Sequence, residues 1–142
     1  MRECIKFFEV IAMALGAVLG WYLGSPDGFF YALVAFVVAD YVTGVLRAVV
    51  ERKLSSTIGF RGIARKIMIF ILVGVAHLID TFVVPDANDV IRTAVIFFYI
   101  ANEGLSIIEN SAALGLPIPT ELAITLKQLH REEINEQDEE EN

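Results

Sequence analysis

Cys4 is the only cysteine in the 142 residues, and His77 and His130 are the only histidines. A lone thiol closes no disulfide within the chain, and two histidines on separate segments make no metal pair. There is no His-Glu-x-x-His, no glycine-rich phosphate loop with its lysine, and no Gly-x-Ser-x-Gly elbow. Asp40 and Asp80 sit in apolar runs but outside any protease-like motif, so they do not read as a catalytic dyad. The sequence therefore predicts no enzyme, metal or cofactor. A surplus of base is missing as well. The net charge is −7, and residues 132–142 alone carry seven acids and no base, leaving eleven of each sign elsewhere. No basic surface for nucleic acid is left once the single basic cluster is explained by topology.

What the chain has is apolar length, with 56% hydrophobic residues. Four runs, 7–23, 29–50, 67–84 and 90–108, are each long enough to cross a bilayer as a helix. Short acidic turns join the runs in pairs, Gly24 to Gly28 and Pro85 to Asp89. Between the pairs lies a cluster of Arg47, Arg52, Lys53, Arg61, Arg65 and Lys66 against one acid, Glu51. Lysine and arginine beside membrane segments are retained on the cytoplasmic side. Arg52, Lys53, Arg61, Arg65 and Lys66 thus set the topology: an all-α membrane protein of two hairpins with both termini inside. Arg2 and Lys6 resemble the start of a secretory signal, but Glu9 interrupts the apolar run and bulky Trp21 and Tyr22 occupy the cleavage position.

The first span carries Ala12, Gly16, Gly20 and Gly24 at every fourth residue, a smooth stripe for close packing within one subunit or between subunits. The second has Asp40 at its middle, at a cost of roughly 2.5–3.5 kcal/mol that its Phe, Leu and Val residues outweigh. The fourth is the most polar: Arg92, Tyr99, Glu103, Ser106 and Asn110 follow helical spacing as one stripe, a candidate pore lining. Depth counted along each span matches Asp80 with Arg92, Asp40 with His77, and Arg47 with Glu9 and Glu103. Buried membrane charge demands such partners. Gly59 and Gly62 suggest bends in the central loop. Residues 1–110 thus form the membrane domain and 111–131 a linker and amphipathic interfacial helix, with Leu122, Leu126 and Leu129 opposite Lys127, Gln128 and Arg131. Residues 132–142 have the composition of a disordered acidic tail.

Asp40 to Leu46, Ser55 to Gly62, Ala76 to Asp80, Phe98 to Asn110 and Gly115 to Pro119, in that order, resemble the holin family of phage lysis and toxin secretion, within a likeness covering about residues 5–130. The resemblance implies a small protein of the bacterial cytoplasmic membrane that contacts lipid, forms homo-oligomers and opens timed lesions. Endolysin, or in some relatives a large toxin, would pass without direct contact. The acidic tail departs from the basic tails common among holins. An antiholin, a small channel and an accessory membrane subunit are the alternative readings.

Overall fold

In a bilayer the backbone must satisfy its own hydrogen bonds, so long apolar runs become helices. The computed structural model has four: α1 (Arg2–Leu23), α2 (Gly28–Val50), α3 (Ser56–Phe82) and α4 (Val90–Ala113). It describes residues 2–125 and 128, without the side chain of residue 58. All four are long and apolar enough to cross a membrane, and no strand occurs among the described residues.

The helix ends follow from local chemistry. Gly24 leaves α1 with a φ of +81°, a left-handed conformation that glycine adopts without steric cost. An added Cβ there would lie 2.9 Å from His77 Nδ1 and 3.0 Å from Arg92 Nε, so the position also needs the missing side chain. Asp27 then caps α2, its Oδ1 accepting from the Phe30 N–H at 2.8 Å. A 3-10 turn over Pro85–Ala87, followed by left-handed Asn88 and Asp89, reverses the chain into α4.

The third helix differs most from the sequence reading. It begins at Ser56, well before residue 67, and Gly59 and Gly62 lie inside it rather than at bends. A helical glycine costs only about 1 kcal/mol, and no proline interrupts the stretch. The basic connection shrinks to residues 51–55, while Arg61, Arg65 and Lys66 ride on α3. The first helix likewise begins at Arg2, and the fourth continues to Ala113. Residues 120–125 are helical where the amphipathic segment was expected; most of that segment beyond 125, and the tail 132–142, lie outside the described residues.

The core is a seam of Leu33 and Val37 from α2, Ile69 and Val73 from α3, and Ile96 from α4. Phe30 and Phe70 meet edge to face beside it, with centroids 6.1 Å apart. Helix α4 lies between α2 and α3 and packs on both. Helix α1 buries no residue and leans chiefly on α3. There the ring of Tyr22 lies on Gly74, where a Cβ would come within 2.0 Å of it, and the Tyr22 hydroxyl donates to the Ile71 carbonyl at 2.8 Å. The absent side chain at Gly74 is what lets α1 approach.

Candidate functional site

Buried polar groups in an apolar medium need partners, so the places where they gather are the places to look. Two clusters emerge. One is at the end of the bundle that carries the 24–27 and 83–89 turns, hereafter the turn end. The other lies toward the 51–55 loop.

At the turn end, Arg92 is 2% exposed and organises its surroundings. Its Nε donates to the Leu23 carbonyl at 2.7 Å, Nη1 to Asp27 Oδ2 at 2.8 Å, and Nη2 to the Ser25 carbonyl at 3.1 Å. One guanidinium thereby ties the start of α4 to the end of α1 and the turn before α2. Burial pushes the Asp27 carboxyl upward, but the Phe30 N–H and the Arg92 guanidinium outweigh it and hold its pKa below the usual value. Asp80 does not meet the guanidinium. Its carboxylate accepts the backbone N–H of Arg92 at 2.7 Å and of Ile91 at 3.2 Å. Those amides open α4 and have no partner within the helix, and the positive end of the helix favours a carboxylate there.

Toward the loop, Lys66 bonds both Asp40 and Glu103. Asn110 Nδ2 donates to Asp40 Oδ1 at 3.3 Å and to Thr43 Oγ1 at 3.2 Å, and the Thr43 hydroxyl donates to the Asp40 carbonyl at 3.0 Å. Helices α2, α3 and α4 meet in this cluster. The expected partners lie elsewhere. His77 Nδ1 is 3.4 Å from Asp89 at the turn end, and Arg47 bonds Glu51 on its own helix at 2.8 Å. Glu9 is exposed on α1. Arg47 and Lys53 together draw the Glu51 carboxyl below its usual range. The reason for the exchange is the early start of α3. The sequence places Lys66 at the end of the central loop, yet it lies about 15 Å along a helix, at the depth of Asp40. Gly59, Gly62 and Lys66 share one helical face, a spacing that marks the segment as helix in the sequence itself.

The polar stripe of α4 is turned inward. Arg92, Glu103 and Asn110 are buried, and Tyr99 and Ser106 are half-buried. The small-residue stripe of α1 is open instead. Ala12, Gly16 and Gly20 are exposed, and a Cβ added at either glycine would meet nothing within 4 Å; Gly24 has left the helix. Arg52, Lys53, Arg61 and Arg65 are exposed around the loop. Among the described residues no group of histidine, cysteine, aspartate and glutamate is arranged to hold a metal ion.

The sequence model described as the bacteriophage holin family matches residues 17–131. An uncharacterized 14.9 kDa protein of the nagH 3′ region in Clostridium perfringens is 38% identical over 130 residues, covering 92% of this chain and 98% of the relative. The uncharacterized protein Lmo0128 of Listeria monocytogenes is 44% identical over 117 residues, 82% of this chain and 81% of its own. A protein of Bacillus phage phi105 named "Probable holin" is 43% identical over 93 residues, 66% of this chain and 65% of its own. No solved structure matches the chain.

Proposed function

Because the chain belongs to the bacteriophage holin family, we propose that it assembles in the bacterial cytoplasmic membrane and opens lesions that release an endolysin. The loop between the hairpins and both termini face the cytoplasm, as the placement of its bases favours. One observation carries the reading. The bundle hides the polar face of α4 while leaving the apolar and small-residue face of α1 open. A lesion needs a wall that water wets, and an assembly needs a surface on which to begin. Closed, α4 satisfies its stripe on α2 and α3; opened, that stripe borders water, while the α1 stripe joins neighbouring copies.

The test is expression of a Cys4→Ser, Ser106→Cys variant beside a cytoplasmic peptidoglycan hydrolase. Abrupt lysis, with Ser106→Cys reacting with a membrane-impermeant thiol reagent only from its onset, is the expected result. A thiol that stays protected through lysis removes α4 from the wall. Delay of lysis by a second holin, without lysis by this chain alone, assigns the antiholin role.

A further inference from the structure

Three charges converge toward the loop where only two cancel. Lys66 holds Asp40 and Glu103 together, and the three side chains are 13%, 12% and 8% exposed. Among the described residues, the other groups bonded to the cluster are neutral: Thr43 from α2 and Asn110 from α4. Tyr41 follows Asp40 on α2, and Tyr99 lies one turn before Glu103 on α4. Among the other cations of the same helices, Arg47 is held by Glu51, Arg92 by Asp27 at the turn end, and Arg61 and Arg65 are exposed. No charged group of α1 is bonded to the cluster among the described residues.

With both carboxylates ionised the cluster carries −1 in an apolar bundle, and an uncompensated buried charge is among the most expensive things a fold can hold. Asp80 shows the alternative that is missing here. With no cation bonded to it among the described residues, its carboxylate accepts from two amides at a helix start. Asp40 and Glu103 lie in helix interiors, where the backbone N–H groups are already used. Two carboxyls beside one ammonium reach neutrality by keeping one proton.

A second feature supplies the route. A cavity of about 150 Å³ between α2 and α3 runs from exposed Leu54 and half-buried Gly59 to Asp40 and Lys66, with Gly44 and Gly62 in its wall. That is room for several waters, and Asp40 and Lys66 are the charged groups that can bond them in a wall that is otherwise mostly apolar. We propose that Asp40 and Glu103 share one bound proton at neutral pH, taken from and returned to water in this cavity. The cluster is a proton-binding site, and its occupancy sets whether the three helices meet around a neutral group or a net negative one. This goes beyond the lesion-forming reading and does not rest on it.

Infrared spectroscopy of the purified chain in bilayers tests the site without reference to lysis. A protonated carboxyl has a C=O stretch above the amide region that shifts in D₂O. The wild type should show one such band at neutral pH, lost as the pH rises. Asp40→Asn and Glu103→Gln should each abolish it, because either leaves a single carboxylate against Lys66. Lys66→Met should double it. No band in the wild type at neutral pH overturns the proposal, whatever the variants do. A band that survives in both single variants belongs to another carboxyl and overturns it equally. Gly59→Leu, which fills the cavity, should slow deuteration of the band several-fold; an unchanged rate overturns the route.

Discussion

Helices α1 and α4 are close in length, 22 and 24 residues, and opposite in position. The first has no buried residue, and the fourth, the least apolar of the four spans, is the most buried. In water the order would be reversed. Within lipid an apolar side chain gains nothing by hiding, whereas a charge must hide or find water, so polarity selects the inside. The same rule explains why α1 is held near its end, by Tyr22 on Gly74 and by the Leu23 carbonyl on Arg92, while α4 takes part in both buried polar clusters.

The comparison breaks most severely at Arg92. Arg92→Gln should cost about 2–4 kcal/mol, because it removes the donor from two carbonyls and from a carboxylate that solvent only partly serves. Thermal unfolding in detergent and the steady-state membrane level should both report the loss. An unchanged melting temperature would mean that α4 is held by its apolar seam alone.

A smaller effect is expected at Gly74. Gly74→Ala places a methyl group within the Tyr22 ring and should cost about 1–3 kcal/mol, as overpacking does. Tyr22→Ala in the same chain should recover much of that cost, and the double-mutant cycle measures how much of α1's attachment passes through this pair.

Acid acts on the turn end through Asp27. The Asp27 pKa is lowered in the fold, so its stabilising contribution is complete above the unfolded value near 3.8 and is lost as the pH falls through the folded value. Unfolding followed against pH should show a loss at strongly acid pH that Asp27→Asn flattens. Because the side chain is 42% exposed, the change should be modest. The smallest effect belongs to the α1 stripe. Gly16→Leu and Gly20→Leu should leave the stability of the single subunit within about ±0.5 kcal/mol, since each new side chain enters open space. Cross-linked oligomers should decline at the same time. Oligomers that persist would remove the stripe from assembly.

Much of this was legible without coordinates. Helix number, the acidic turns and the inward stripe of α4 follow from hydropathy and spacing. The partners of the charges were not legible, and the reason is one boundary. Starting the third span at residue 67, with bends at Gly59 and Gly62 before it, keeps Lys66 in the central loop and leaves Asp40 to His77 and Glu103 to Arg47. Extending α3 back to Ser56 moves Lys66 inward by nearly three turns and changes both assignments. Asp27 was hidden for a different reason. It reads as part of a turn, and only the reach of an arginine from a helix 65 residues away makes it a counter-ion.

The central place of α4 also orders the birth of the protein. A ribosome delivers this helix after the other three, yet it ends up between two of them. Every group that serves Arg92, from Leu23, Ser25 and Asp27, has already been synthesised when Arg92 emerges, and Asp80 precedes it by a single turn of chain reversal. Asp40 and Lys66 are also made before Glu103, the third member of their cluster. The early helices thus form a receptor for the last, and the most polar span enters the membrane with its acceptors waiting.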